Sequence, residues 1–346
     1  MRSRKFFQLG AVELLYAVIS RGKTVARLTR GNVVAAALAA FVWSASSSVP
    51  EAQASLILGT TADQFAVLGQ FSNNQTNFNN GTITGDVGIG SPREFTISNA
   101  SVVGNIRFSG AVSTAGLSGG PIPGPGPYTV SGGGTVSGGV VASDAAVTNA
   151  INYTNDLSQF LGGQSGTSTT VATGGSITAS SGTLYTGNTV DGNPLGNYYV
   201  FTVTSVNFPN GTFTINGSAT DQVVLDIGFS ANLHGQIVLA GGITSDNVVI
   251  NMFGGNYTTH MGGPTLDVNT NGLVTMGTFL DPNGGMSAVS TTIDGRFFGG
   301  DVQNQQIVSG ASIFAPIPEP ASATVLILGG ALSALQMCRA RRSRRP

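Results

Sequence analysis

His234 and His260 are the only two imidazoles in this 346-residue chain, and Cys338 is its only thiol. A nucleophilic triad needs a histidine between a nucleophile and an orienting carboxylate. Serine and aspartate are so common here that many pairings with either histidine can be drawn, and no G-x-S-x-G elbow selects one. Both histidines read as turn or surface residues. Paired carboxylates are the other chemistry within reach. Asp221 with Asp226, or Asp294 with Asp301, would suit glycoside hydrolysis if the fold set them at the right separation. The competing use of such residues is in Asx-type turns, where the carboxylate bonds nearby backbone. Without H-E-x-x-H or a cysteine before position 338, a transition-metal site is not expected. Calcium would need an EF-hand-type loop or glycine-rich nonapeptides, and neither occurs. No strand-to-helix G-x-x-x-x-G-K loop is present to cradle phosphate. The chain therefore reads as non-enzymatic, with no cofactor.

Charge placement says more than net charge. The formal total is −1, yet Arg2, Arg4, Lys5, Arg21, Lys23, Arg27 and Arg30 crowd one end, and Arg339, Arg341, Arg342, Arg344 and Arg345 the other. Between Ser55 and Pro318 there is no lysine; Arg93, Arg107 and Arg296 stand against thirteen acidic residues, giving −10. Phosphate recognition needs clustered Lys and Arg, so nucleic acid is excluded as a partner. The same charge argues against ordinary adhesion of this acidic body to an anionic bilayer.

Both ends read as addresses. Val33 to Trp43 is an apolar run of eleven residues, too short for a comfortable span, which needs roughly 20. Ala52-Gln53-Ala54 then offers a small-x-small cleavage site for signal peptidase, with Ser55 as the mature start. Residues 1–54 are thus a signal peptide with a long n-region and a signal helix; an uncleaved N-terminal anchor is the alternative. At the other end, 321–338 carries no formal charge and is long enough to span as a transmembrane helix. The arginines behind it, Arg339, Arg341, Arg342, Arg344 and Arg345, should stay cytoplasmic as a stop-transfer cluster.

Pro318-Glu319-Pro320, this apolar stretch and the arginine run together resemble the PEP-CTERM sorting signal. The resemblance covers 318–346. It implies that an exosortase-type transpeptidase recognises the tripeptide and removes the tail. The precursor would be held in the inner membrane and delivered to the envelope or exterior of a Gram-negative bacterium. A plain single-span anchor is the alternative.

The body, 55–315, holds many β-branched clusters, among them Thr82-Ile83-Thr84, Val102-Val103, Val223-Val224-Leu225 and Val248-Val249-Ile250. Gly and Asn bound them, as turns require. Apolar-x-Gly elements recur: Gly85 and Gly104 are nineteen apart, while Gly217 and Gly235, and Gly277 and Gly295, are eighteen apart. Such a period suits one β-solenoid rung of three short strands. A β-sandwich with similar strand spacing is the alternative. One segment departs from this pattern. Ser143-Asp144 can cap a helix, and Ala145 to Leu161 lacks Gly and Pro. Val147, Ala150, Thr154, Leu157 and Leu161 fall on one face, and Gly162-Gly163 ends the run. A lone amphipathic helix needs a surface, so it should pack lengthwise on the solenoid. Pro121, Pro123, Pro125 and Pro127 predict an extended loop, and the runs 131–139 and 164–181 read as loops or irregular turns.

Phe65-Ala66-Val67-Leu68-Gly69, Ile83-Thr84-Gly85-Asp86-Val87-Gly88, one helix and then more strands resemble the ice-binding-like β-helix domain. The closing stretch Thr292 to Asp301 with Gln306 to Gly310 is similar to the choice-of-anchor A surface proteins. Both resemblances imply a mainly β β-helix with one flanking α-helix and a surface or adhesive role. The leading functional expectation is an exported cell-surface or matrix protein that meets extracellular polysaccharide. The alternatives are a module binding ice or another ordered surface, for which Thr167, Thr169 and Thr170 are the densest threonine cluster, and a polysaccharide-active β-helix enzyme.

Overall fold

The computed structural model describes residues 57–71, 74–91, 93–111, 128–258, 262–300 and 304–315. Ala52, Ala54, Ser55, the proline run 121–127, His260, Asp301, Pro318, Glu319, Pro320, the expected span 321–338 and the terminal arginines lie outside these residues. Among the described residues, no helix is long and apolar enough to cross a membrane.

The described chain is mainly β, with parallel sheets and two α-helices, Gly59–Ala62 and Ala145–Gly162. Strands pass in turn through three faces. Phe65–Gly69 lies on the first face, Gln75–Asn79 on the second and Thr82–Thr84 on the third. Asp86–Ile89, Glu94–Ser98 and Ser101–Val103 repeat the circuit and pair with them in parallel. Alternation decides what points inward. Phe78, Ile83, Phe95, Ile97 and Val102 enter the core, while Asn77, Asn79, Thr96 and Ser98 face out. This is the expected β-solenoid.

Two of the three glycine matches mark true corners. Gly277 and Gly295 are in register, with φ of +126° and +145°. They let Val274–Asp281 and Thr292–Gly299 bend from the third face to the first without leaving the strand. A Cβ on Gly295 would overlap the Gly277 carbonyl oxygen. Gly104 likewise sits against the Gly85 carbonyl. Gly295→Ala is therefore expected to destabilise by more than about 2 kcal/mol, read as a lower urea midpoint at unchanged m-value. The third match, Gly217 with Gly235, is accidental. Asn216 pairs with Ala240, so the coil there is 24 residues long, and Gly235 packs on the Phe208 ring instead. The runs expected as loops also contain strands: Thr167–Ala172, Ser176–Thr178 and Thr135–Val136. Their β-branched residues extend readily once a stacked coil supplies hydrogen-bond partners.

Stack order differs from chain order. Across the first face the strands run Val140–Val141, Ile106–Phe108, Asp86–Ile89, Phe65–Gly69, Thr292–Gly299, Val274–Asp281, Val248–Met252, Val223–Ile227, Tyr198–Asn207 and Thr167–Ala172. The first coil of the chain thus stacks on its last coil. The same seam recurs on the other faces, where Gln75–Asn79 meets Gln305–Val308 and Thr82–Thr84 meets Ser312–Phe314.

Buried polar groups specify this seam. The inward column on the second face runs Leu266, Met286, Gln305, Thr76, Phe95, Tyr128. Only its two seam members are polar, and the Thr76 hydroxyl donates to Gln305 Oε1 at 3.0 Å. Arg93, 1 % exposed, donates to the carbonyls of Gln70 and Gln75 on one side and Gly300 on the other. A slipped register strands these groups, at about 1–3 kcal/mol each.

The helix Ala145–Gly162 spans the seam. Asp144 caps it, accepting from Ala146 N at 2.9 Å. Arg107 clamps that cap, with Nε 2.6 Å from Asp144 Oδ2 and its guanidinium 4.9 Å above the Phe65 ring. The Arg107 hydrogen bond holds the Asp144 carboxyl below its usual range. Val147, Ala150, Thr154, Leu157 and Leu161 are buried, as the spacing predicts. They cover outward side chains of the first face, including Phe65, Leu68, Val224, Val249, Leu280 and Phe298. The first face is therefore closed to solvent along the helix.

Candidate functional site

With the first face covered, the second and third remain. The third is discontinuous, since Ser176–Thr178, Thr212–Asn216 and Gln236–Ala240 form a separate sheet. The second is one sheet of seven parallel strands. Its middle outward row is unbroken: Asn232, Asp267, Ser287, Gln306, Asn77, Thr96 and Thr129 stand in register on successive coils. Each is half-buried except Asn232, which is exposed. Stacked rungs repeat at about 4.8 Å, and alternate residues along a strand at about 7 Å. The result is a regular lattice of hydrogen-bonding groups, in which every strand but the two outermost is paired on both sides. No aromatic side chain belongs to the row, so a sugar ring finds no stacking platform there.

At one end of the row Asp267 is a hub. His234 Nε2 lies 2.9 Å from Asp267 Oδ2, and the Ser287 hydroxyl donates to Asp267 Oδ1. These are the three residue types of a hydrolase triad in the wrong order. The carboxylate sits between serine and histidine, so nothing links the hydroxyl to the imidazole as base. His234 is a corner residue, as expected from sequence, and Asp267 is the partner that sequence reading missed. A shallow hollow of ≈ 300 Å³ adjoins it, lined by Asn207, Phe208, Phe229, Asn232 and His234.

Asp221 and Asp226, one of the two carboxylate pairs, serve separate local roles. Asp221 caps its own turn, accepting from Ser218 N at 2.7 Å. Asp226 is buried beneath the long helix, 1 % exposed. Its Oδ1 accepts from Asn251 Nδ2 at 2.7 Å, and the same amide donates to the Ser158 carbonyl on the helix at 3.2 Å. Burial pushes the Asp226 carboxyl up to about 7, against the pull of the Asn251 hydrogen bond. A group so enclosed positions a helix and meets no substrate. Asp294 accepts from the Ser245 hydroxyl at 3.2 Å beside Arg296, and its intended partner Asp301 is outside the described residues.

Thr167, Thr169 and Thr170 lie on the terminal strand of the stack, and a register shift separates Thr169 from Thr170. They bond laterally, Thr167 to Thr183 and Thr170 to Ser205, and build no rung-by-rung array. Among the described residues, no group of three or more His, Cys, Asp or Glu side chains is placed to hold a metal. All three body arginines are occupied inside the fold: Arg93 at the seam, Arg107 at the helix cap and Arg296 at a corner.

No protein-family model matches the chain, and no curated protein matches it in sequence. Solved structures similar to it include an ice-binding protein from the Antarctic ascomycete Antarctomyces psychrotrophicus, at 12 % identity, covering 75 % of this chain and 97 % of that one, with a TM-score of 0.46. An ice-binding protein from an Arctic yeast is similar at 14 % identity, over 75 % of this chain and 94 % of that one, TM-score 0.46. The DUF3494 domain of an ice-binding protein from Shewanella frigidimarina is similar at 12 % identity, over 75 % and 96 %, TM-score 0.45. Likeness at this level carries no argument about function, and the solenoid assignment rests on the strand register above.

Proposed function

We propose that this chain is an exported, non-catalytic binding protein whose second face engages an extended, regularly ordered polar surface, with ice as the surface to test first. The observation that carries the reading is the seven-rung row from Asn232 to Thr129. A row of hydrogen-bonding groups at a constant rung spacing suits a repeating lattice better than a single small molecule. All its side chains but Asn232 are half-buried, which limits the rotamer entropy to be lost on contact. Asp267 and Glu94 bring formal charge to this face, and each has a neighbouring partner, His234 and Gln75.

Export and sorting belong to the same proposal. The motifs Ala52-Gln53-Ala54 and Pro318-Glu319-Pro320 support it, with signal peptidase and an exosortase-type transpeptidase as processing partners. Intact mass of the mature protein tests this step: ends near Ser55 and Pro320 agree with it, and a retained Arg341-Arg342 tail overturns the sorting reading.

The binding test is recrystallisation inhibition and thermal hysteresis of residues 55–315. Activity is expected in the intact protein and is lost when Asn77→Tyr and Thr96→Tyr raise two bumps mid-row. Both positions face out, so thermal stability should change by no more than about 0.5 kcal/mol for each. No activity at high concentration, or full activity in the double variant, rejects ice binding by this face.

A further inference from the structure

We propose that the C-terminal tail holds the solenoid by the edge opposite its second face, so that the membrane-held precursor, before its tail is removed, lies lengthwise on its own membrane with the second face outward. This rests on the second face being the binding surface and on the tail holding the precursor in the membrane until it is removed.

The strands run from first to second to third face and back to the first. The corner between third and first faces is thus the one across the cross-section from the second face. The described chain leaves at that corner: Ala315 N donates to the Thr84 carbonyl at 3.1 Å, and a Cβ on the corner residue Gly85 would touch Ala315. It enters at the same corner. Asp63 is held there by Arg296, next to Asp246 in the corner turn of an earlier coil. Ile57 N then donates to Gln222 Oε1 at 3.1 Å, just ahead of the first-face strand Val223–Ile227.

The exit is also mid-stack. Ser312–Phe314 lies between Thr292–Gly299 and Thr82–Thr84, with further coils on either side. A tether at an end would let the solenoid stand upright; a mid-edge tether lays it down. The spacer is short. From Pro316 to Ala321, where the uncharged stretch begins, there are six residues, whose reach is at most about 21 Å. A five-residue strand is about 17 Å long, so one face with its corners is as wide as the spacer is long. The tail cannot pass round the body to the second face and still reach a bilayer beyond it. The acidic body adds nothing that would draw the binding face onto anionic lipid.

The test uses the full chain with Cys338→Ser, which leaves no other cysteine, and one cysteine placed by Thr96→Cys on the second face or Thr244→Cys at the opposite corner. Both sites are solvent-accessible. A donor dye on each is read against a headgroup acceptor in phosphatidylethanolamine–phosphatidylglycerol vesicles. Transfer from position 244 should exceed that from position 96 by about twofold or more, since the sites differ in height by roughly a strand length. Equal or reversed transfer overturns the proposal, and so does a chain that stays in the supernatant of the vesicles. The ice assays use soluble protein without the tail, so failure of the binding reading and failure of this orientation show up separately.

Discussion

Asp226→Asn should stabilise the protein at pH 8 and leave its stability unchanged near pH 3. Asp226 sits in Val223–Ile227, a strand buried along its whole length, under the helix Ala145–Gly162. Its carboxyl is pushed from 3.8 to about 7 chiefly by desolvation. The folded-state value is raised, so between about pH 4 and pH 7 the native state binds more protons than the unfolded state. The contribution of this group is then most favourable below its unfolded value and is lost as pH rises through 7. A shift of that size is worth on the order of 4 kcal/mol above pH 7. Asparagine keeps an oxygen for the Asn251 amide and carries no charge to desolvate. A gain of about 2–4 kcal/mol at pH 8 is expected, because burial of the charge is the main cost removed. Asp63 and Asp246 are also raised by burial and tilt the whole profile the same way. The difference between variant and parent isolates Asp226. Urea midpoints at pH 3, 5.5 and 8 measure it, and a flat difference across that range would contradict the assignment.

Some of this was legible in sequence because it is local. The helix followed from Asp144, five apolar or small residues at helical spacing and two terminal glycines. Gly277 and Gly295 were legible because consecutive coils there are short and without insertions. The neighbouring match of Gly217 with Gly235 failed because that coil carries extra residues. Asp226 gave a signal that spacing arguments passed over, a carboxylate inside a run of valine, leucine and isoleucine. The second-face row was not legible. Gln306 and Asn77 are adjacent in it yet 229 residues apart, because the first coil stacks on the last. No periodicity crosses such a seam. Threonine density pointed instead to Thr167–Thr170, which is dense along one strand and isolated across strands. A lattice-like face depends on registry between coils, and registry is a tertiary property.

That registry depends on Arg296, and its removal should have the second large effect. The side chain is fully buried and paired with Asp63, which precedes the first coil, and Asp246, in the turn just before the strand Val248–Met252. Burial lifts both carboxyls above their ordinary range, more than the guanidinium charge pulls them down. The triad is thus poor at adding net stability, yet it is costly to break. Arg296→Met leaves two enclosed carboxylates without their cation, at a cost of about 3–5 kcal/mol near pH 7. The loss should shrink as pH falls, because the raised carboxyls take up protons in the native state before they do in the unfolded chain. Adding Asp63→Leu and Asp246→Leu should restore most of the stability, since apolar groups of similar volume replace buried ions well. What the triple variant should not restore is protection of the seam. Amide exchange in Phe65–Gly69 is expected to stay faster relative to Val223–Ile227, because Asp63 no longer has one partner to find. Equal protection of both strands in the triple variant would mean that strand pairing and the Thr76–Gln305 pair suffice, and that the ions are not what sets the register.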